Sequence, residues 1–452
     1  MSGLNKHINQ ALSIAPLATF RVAFGFMMLV SVIRFAYYGW IDEFYIQPDY
    51  HFSYYGFEWV KVFPPAGMYS LFLVMGISAL MVMLGRFYKI FITLFFLSFT
   101  YIELIDKTYY LNHYYFVSLV SFIMIWLPAH RSFSLDAYYK PSMSREKVAA
   151  WMINIIKLQL FIVYFYAGLA KLNYDWLIEA EPLKIWLASN SHLPVIGQYM
   201  DELWVAYAFS WFGAIYDLFI PFLLINKKTR IPAFAAVIVF HVMTWWLFPI
   251  GMFPFIMILS TLIFFSAEWH KNIQHRFSRL FKVKNSVVQH RAMKGAPSWQ
   301  VGLLGVFMLI QLIMPWRYLN YPGDLFWTEE GYRFSWRVML MEKAGYVTYH
   351  IKDGEHGTSE EAYPSDYLTP LQEKMMSTQP DMILQFAHYL EKIYLAKGIR
   401  RPEIRVEAYA TLNGSGSKKF IDPTVNLLEE EDNFSHKRWI LPFEKHERTA
   451  TR

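Results

Sequence analysis

Apolar stretches long enough to cross a membrane recur from Pro16 to Pro315, and they limit the possible folds more than any other feature of the chain. The hydrocarbon core of a bilayer is about 30 Å thick, and an α-helix crosses it in about 20 apolar residues. Backbone groups find no water there, so only helices and closed barrels can cross it. The stretches predict about eight or nine transmembrane helices, at 16–38, 67–85, 88–104, 113–128, 148–170, 203–225, 231–247, 250–266 and 298–315.

The composition supports a membrane protein and excludes several kinds of chemistry. Apolar residues make up 55% of the chain and charged residues only 17%, whereas about a quarter of the residues in a soluble domain are charged. The chain has no cysteine, which excludes disulfides, zinc–thiolate sites, iron–sulfur clusters and thiol nucleophiles. The first apolar run is long and no small-residue cleavage site follows it, so we expect no cleavable signal peptide.

Basic residues are unevenly distributed between the loops. The even-numbered connections carry about 16 lysines and arginines, against about four in the odd-numbered connections. This asymmetry predicts a cytoplasmic N-terminus and, with nine spans, a C-terminal region on the opposite side. Because the net charge of +6 lies mainly in these loops, it argues for orientation in a bilayer and against nucleic-acid binding. The basic residues are Arg86, Lys89, Arg131, Lys140, Arg145, Lys147, Lys227, Lys228, Arg230, Lys271, Arg276, Arg279, Lys282, Lys284, Arg291 and Lys294.

The C-terminal part of the chain differs from the part before it. No spanning segment remains after Arg317, and the alternation from Arg405 to Leu412 before an Asn-Gly pair predicts a strand and a turn. Helical spacing of apolar residues predicts a helix over 381–397. We therefore predict a polytopic α-helical membrane protein, with a transmembrane catalytic domain at 1–316 and a small α+β soluble domain at 317–452.

Lys171 is the first candidate for a functional side chain. Ionisable groups at membrane depth are costly and are usually functional. Lys171 ends an apolar run at the non-cytoplasmic end of the fifth predicted helix. Burial disfavours the charged form of an amine, and a neutral lysine is able to take up a proton. The alternative is a lysine that snorkels from a helix end to the membrane surface.

His241 and the short turn 106–113 supply further polar groups. His241 lies within the seventh predicted helix, where an imidazole is either an acid, base or hydrogen-bond donor, or a satisfied core histidine. The turn carries Asn112 and His113 and, by topology, shares a membrane face with Lys171. Polar anchoring at the interface is its alternative role. Convergence of these groups on one face predicts a site that includes Asn112 and His113.

Several catalytic motifs are missing from the chain. It has no His-Glu-x-x-His, no glycine-rich phosphate loop and no Gly-x-Ser-x-Gly. Their absence disfavours hydrolytic zinc chemistry and nucleotide chemistry. We expect no metal site.

These segments resemble the vitamin K-dependent gamma-glutamyl carboxylase family and its bacterial relatives, which share the horizontally transferred transmembrane domain. The resemblance runs in consistent order through most of the chain. Its stretches are 104–113 (LIDKTYYLNH), 134–136 (SLD), 164–176 (YFYAGLAKLNYDW), 240–241 (FH), 247–253 (LFPIGMF), 268–269 (EW), 327–328 (WT), 332–336 (YRFSW) and 420–423 (FIDP).

The resemblance implies a particular reaction. In this family a lysine deprotonates vitamin K hydroquinone, which reacts with O2 to give a much stronger base. That base removes a γ-proton from a peptide glutamate, the carbanion takes up CO2, and the quinone leaves as its epoxide. The cofactor here is then vitamin K hydroquinone or menaquinol, and the partners are the lipid bilayer and a glutamate-containing peptide or exported protein.

The resemblance also assigns roles to residues. Lys171 matches the family's catalytic base, and His241 its functional histidine in the later helix. Tyr332 and Met339 match the stretch after the last helix that lies near the active site. His130, in Ala-His-Arg, is one position out of register with an Asn-His pair of the family, and the predicted topology puts it on the cytoplasmic side. The candidates for binding the cofactor are therefore Asn112, His113, His130, Tyr332 and Met339.

The sequence is also compatible with other functions. The family's animal enzymes have a much larger lumenal region and a disulfide that this cysteine-free chain cannot form. A quinone-oxidising homologue without carboxylase activity is therefore one alternative, and a non-enzymatic transporter or membrane assembly factor is another. We expect an integral protein of a bacterial inner membrane or an ER-like membrane, with a periplasmic or lumenal C-terminal domain.

Overall fold

The computed structural model describes residues 8–280 and 297–444. Four basic residues of the last predicted cytoplasmic loop, Lys282, Lys284, Arg291 and Lys294, lie outside the described residues. The helices that build the membrane part are α1 (Ala15–Tyr37), α2 (Pro65–Leu84), α3 (Tyr88–Ile105), α4 (Asn112–Trp126), α5 (Ala150–Ala170), α6 (Leu203–Ile225), α7 (Arg230–Leu247), α8 (Phe253–Thr261), α9 (Ala267–Leu280) and α10 (Ser298–Ile313).

The prediction of a polytopic helical membrane protein is confirmed. In the part of the chain that the structure describes, seven helices are long and apolar enough to span a bilayer, or up to eight if one bent pair is a single span. The predicted fourth helix is short at 15 residues. Its two ends nevertheless contact opposite ends of the bundle, because Asn112 Nδ2 donates to the Arg337 carbonyl and Gln300 Nε2 to the Trp126 carbonyl.

The bent pair differs from the prediction of an eighth helix at 250–266 that is followed by a loop. α8 has only 9 residues, and the chain turns by 115° before α9. Instead of being part of a loop, α9 is a helix that lies against the start of α1, where Gln274 Nε2 donates to the Ala15 carbonyl and Thr19 Oγ1 at 2.9 Å. Phe277 remains exposed beside Arg276 and Arg279, as in a helix that lies in the membrane interface.

Arg21 joins the helices at the end of the bundle where α1 begins, which we call the far end. Its side chain is fully buried, and its guanidinium donates to the carbonyls of Val82 and Met83 at 2.7 Å, of Ala129 at 3.2 Å and of Phe133. The donors of this arginine thus satisfy carbonyls in the last turn of α2 and in the connection between α4 and α5. The short strands β1 (Ala11–Ser13) and β2 (Lys147–Ala149) also pair at this end.

The C-terminal unit is the predicted small α+β domain. Its antiparallel sheet has the order β4-β3-β5-β6, and the inward residues of the two long strands are apolar. Helix α12 packs against this face together with α11. The elements are β3 (Lys343–Asp353), β4 (Ser359–Ala362), α11 (Pro370–Met376), α12 (Pro380–Ala396), β5 (Pro402–Leu412) and β6 (Lys418–Lys419). The predicted strand and helix thus begin within three residues of the observed β5 and α12.

Polar contacts fix the soluble domain to the other end of the bundle, which we call the domain end. Asp381 accepts hydrogen bonds from Lys107 Nζ and Arg333 at 2.7 Å. Asn413 Nδ2 donates to the Asp175 carboxylate at 3.0 Å. The turn after α3, the end of α5 and the soluble domain therefore share one face, as predicted. Which side of the membrane this face meets stays a prediction.

Candidate active site

Lys171 is paired with a carboxylate that the sequence analysis missed. It follows the last residue of α5, and its Nζ lies 2.7 Å from Asp217 Oδ2 and 3.3 Å from the Ala167 carbonyl. Lys171 and Asp217 are each only 6% exposed. The lysine therefore points into the bundle and does not snorkel to the surface.

The close approach of α5 and α6 makes this pair possible. A Cβ on Gly168 would lie 2.5 Å from the Leu218 backbone nitrogen, so only glycine allows the two helices to come this near. Asp217 interrupts a 23-residue apolar helix, and Pro221, four residues later, has no N–H to donate to the Asp217 carbonyl. The rule that acids at membrane depth are usually functional points to Asp217 from the sequence alone.

Trp176 covers the ion pair on one side. The Lys171 ammonium lies 5.3 Å from the centroid of the Trp176 ring, within the range of a cation–π contact. The indole is fixed because its Nε1 donates to the Ser210 carbonyl at 2.8 Å and its backbone N–H to Asn173 Oδ1 at 2.9 Å. The buried indole of Trp176 therefore covers the Lys171 amine on this side.

His241 lies deeper in the bundle and keeps one ring nitrogen free. Its side chain is 1% exposed, and Nε2 lies 3.1 Å from the hydroxyl of Tyr164 on α5. Nδ1 has no hydrogen-bond partner among the described residues. A satisfied core histidine pairs both nitrogens, so the arrangement leaves one position for a ligand. Tyr164 and Lys171 lie on the same helix, about 10 Å apart along its axis.

The structure brings His113 near His241. The rings of both histidines lie beside Phe253, with centroids 5.8 Å and 5.6 Å from it. Asn112 has a different position: its Nδ2 donates to the Arg337 carbonyl at 3.0 Å, while Oδ1 accepts from Tyr110. His113 thus faces the bundle interior, whereas Asn112 holds the segment that follows the last membrane helix.

That segment, residues 329–341, carries Tyr332 and Met339. Four of its non-glycine residues have a left-handed backbone, with φ of 56° at Glu329, 65° at Phe334, 61° at Trp336 and 51° at Met339. Such conformations are costly and cluster at functional sites. Trp336 packs in the core of the bundle, while half-buried Tyr332 and Met339 pack against the apolar cluster that contains Trp176.

His130 is the one candidate that the structure does not bring toward the others. It lies at the far end, where its ring stacks on Tyr88 at 5.1 Å and the neighbouring Ala129 carbonyl binds Arg21. Burial lowers the pKa of His130 to about 3, so the ring is neutral at physiological pH. Its position at the far end fits the predicted topology.

Two protein-family models match the chain. The HTTM domain covers residues 9–269, more than half of the chain, and the lumenal domain of vitamin K-dependent gamma-carboxylase covers residues 296–446. The chain belongs to the vitamin K-dependent gamma-carboxylase family. This confirms the resemblance drawn from the sequence. No solved structure matches the chain.

The gamma-carboxylase lumenal match begins at residue 296, before the last membrane helix, and so includes α10 with the soluble domain. The predicted boundary at 316/317 lies later and stays a prediction. Within the described residues no group of three or more histidines and acids is placed to hold a metal. What this carboxylase-family chain does have is a buried amine–carboxylate pair, an imidazole with a free nitrogen and aromatic walls.

Proposed function

We propose that this chain is a vitamin K-dependent gamma-glutamyl carboxylase whose base is Lys171. The buried pair of Lys171 with Asp217 is the observation that carries the proposal. When bound, vitamin K hydroquinone or menaquinol would react with O2 and supply the base that lets a peptide glutamate take up CO2, leaving as the epoxide with one water. The residues around Lys171 fit such a group, because they combine apolar aromatic surface with few polar atoms.

In its neutral form Lys171 would take the proton of a hydroquinone hydroxyl, and the ion pair of its ammonium with the Asp217 carboxylate is the state that results. A proton moves to Nζ only if the ammonium so formed is stabilised, and the carboxylate of Asp217 at 2.7 Å does this inside a site that excludes water. Asp217 is thus a positioning residue, since it acts through Lys171. Trp176 keeps bulk water from the amine, which strengthens the same interaction.

His241 would bind an oxygen of the same cofactor. If the Tyr164 hydroxyl donates to Nε2, the proton of the neutral ring is on Nδ1, which then donates to a ligand oxygen. His113, on the other side of Phe253, adds a second imidazole to the same region. Tyr332 and Met339 would close the cofactor site from the soluble domain, next to the entrance for the glutamate peptide.

The sidedness of the reaction follows from the same proposal. The soluble domain and Lys171 share the domain end, and the basic loops predict that this end is not cytoplasmic. An exported protein would therefore meet the enzyme in the periplasm or a lumen after translocation.

An assay of both products tests the proposal. The purified chain in lipid nanodiscs receives vitamin K hydroquinone, O2, labelled CO2 and a glutamate peptide, and the epoxide and the labelled peptide are measured. We expect both products from the parent chain and neither from Lys171→Ala. Lys157→Ala, which removes a lysine nearer the start of the same helix, is the matched control and should keep both.

Each other outcome has its own meaning. Epoxide without labelled peptide in the parent chain identifies a quinone-oxidising homologue and overturns carboxylation. Absence of both products, with Lys171→Ala indistinguishable from the parent in every measurement, overturns the proposal and leaves a transporter or assembly factor, which solute uptake into proteoliposomes would then detect.

A further inference from the structure

Helix α9 has three faces of different chemistry, and the first of them lies against the bundle. His270 and Ser278 on this face are buried. Gln274, between them, donates to Ala15 and Thr19 of α1. The three side chains are four residues apart and therefore share one side of the helix. One face thus holds α9 on the bundle, and the other two faces meet the surroundings.

The second face of α9 is apolar. Its four side chains have the spacing i, i+4, i+8 and i+11, which forms a stripe along a helix. Phe277 is 52% exposed and Leu280 is 73% exposed, although an apolar side chain is stabilised when it leaves water. The stripe consists of Trp269, Ile273, Phe277 and Leu280.

The third face is basic. Arg276 and Arg279 are exposed and lie three residues apart, so their side chains are neighbours on the helix surface. Neither forms an ion pair within the described residues, whereas Lys271 is paired with Glu146 at 3.3 Å. The sequence at 281–296 has no acidic residue. The stretch that follows the helix therefore supplies no carboxylate to this arginine pair.

The bend before α9 places these faces at the membrane surface. α8 packs against α1 inside the bundle, where Ile256 and Met257 are buried. The chain then turns by 115°, so α9 lies across the far end of the bundle. A helix in this position meets the headgroup region, where an apolar face enters the acyl chains and a basic face reaches the phosphates.

We propose that α9 binds anionic phospholipids of the leaflet at the far end, with Arg276 and Arg279 on a lipid phosphate and the apolar stripe among the acyl chains. Guanidinium groups bind phosphate through charge-assisted, often paired hydrogen bonds. A zwitterionic headgroup carries its own cation and is attracted less, so the surface selects lipids with a net negative charge. Lys171 lies at the domain end, and the proposed function does not enter this argument.

Site-directed fluorescence tests the proposal. Because the chain has no cysteine, Leu280→Cys takes a single bimane label in the purified chain, which is reconstituted into phosphatidylcholine vesicles. The quenchers are phosphatidylglycerol and phosphatidylcholine, each with a nitroxide on an acyl chain. We expect phosphatidylglycerol to reach half-maximal quenching at a mole fraction at least about fivefold lower, since each arginine near an anionic surface favours binding by about that factor.

The preference should depend on the two arginines. Arg276→Gln with Arg279→Gln should make the two lipids quench equally, whereas Arg276→Lys with Arg279→Lys keeps both charges and should retain most of the preference. Lys392→Gln with Lys397→Gln removes the same charge from the exposed surface of the soluble domain and is the matched control, which should behave as the parent. About 0.5 M NaCl should also reduce the preference, because salt screens exposed charges.

A second label position tests which face meets the lipid. His275 is exposed and lies nearly opposite the apolar stripe on the helix. Bimane on His275→Cys should therefore be quenched much less by either lipid than bimane on Leu280→Cys.

Three results would overturn the proposal. They are equal quenching by the two lipids when the arginines are intact, an unchanged preference in folded Arg276→Gln with Arg279→Gln, and equal quenching at positions 275 and 280. Thermal unfolding of each variant establishes whether it is folded.

Discussion

Lys171 and Asp217 are 46 residues apart in the chain, and their pairing shows how single side chains set the chemistry of the site. Two charges at 2.7 Å attract each other strongly where water is excluded. Removal of one partner leaves the other uncompensated, which is far more costly than replacement of both. The carboxylate is therefore the residue whose loss most directly tests how the lysine works.

Asp217→Asn keeps the shape of the side chain and removes its charge. If Asp217 stabilises the ammonium formed on Lys171, epoxide formation should fall about 100-fold, the size of effect seen when one preorganised electrostatic contact is lost. Asp217→Glu should restore part of the rate, because the charge returns. Initial rates of epoxide formation measure this, and equal rates for Asp217→Asn and the parent would contradict it.

At the scale of elements, the segment 329–341 is held in a strained path by the turn that precedes α4. The Phe334 backbone N–H donates to the Tyr110 hydroxyl at 2.8 Å, and that hydroxyl donates to Asn112 Oδ1 at 3.2 Å. Left-handed residues persist only where surrounding contacts determine them. One phenol thus supports the backbone that places Tyr332 and Met339.

Tyr110→Phe should loosen this segment and leave its aromatic packing in place. Loss of a hydrogen bond costs about 1 kcal/mol, so trypsin should cut after Arg337 about fivefold faster if cleavage follows local opening. Mass spectrometry of timed digests measures the rate. Tyr138→Phe, an exposed tyrosine elsewhere in the chain, is the control, and equal cleavage of both variants would disprove the supporting role.

At the scale of the whole molecule, one carboxylate joins the soluble domain to the bundle. Burial raises the pKa of Asp381, but the charges of Arg333 and Lys107 lower it more, so its net pKa lies well below the usual range. An aspartate in an unfolded chain has a pKa of about 3.9. The contribution of Asp381 to stability is therefore complete above about pH 4 and is lost as the pH falls below that value.

Asp381→Asn should remove this pH dependence. The parent chain should show an apparent Tm that falls as the pH decreases from 5 to 3, and the variant a lower Tm at pH 7 with a shallower fall. Thermal unfolding in nanodiscs across this range measures both. If the apparent Tm of the two proteins fell equally with decreasing pH, the ion pairs of Asp381 would not stabilise the contact between the soluble domain and the bundle.

The orientation of the molecule is open to a direct test because the chain has no cysteine. Ser359→Cys places a thiol on the soluble domain, and Lys227→Cys places one between α6 and α7 at the far end. An impermeant maleimide should label the first in intact cells and the second only after permeabilisation. The reverse pattern would invert the predicted topology.

The sequence by itself determined the membrane architecture. Spanning helices, the α+β tail and the family follow from patterns that lie along the chain, since apolar length and strand alternation are local properties. The same patterns named Lys171, His241 and His113 as candidate site residues, the family resemblance added Tyr332 and Met339, and the roles of all five stay predictions. Helix α9 was not predicted, because its sequence is largely polar and basic and is typical of a loop after residue 266.

Only the tertiary structure decided which residues meet. Lys171 pairs with Asp217 because α5 and α6 lie close together at Gly168, where a Cβ would be only 2.5 Å from the Leu218 backbone nitrogen. His130 is separated from the candidate site because its loop connects α4 and α5 at the far end of the bundle. Pairing across distant segments is set by helix packing, and no local pattern carries that information.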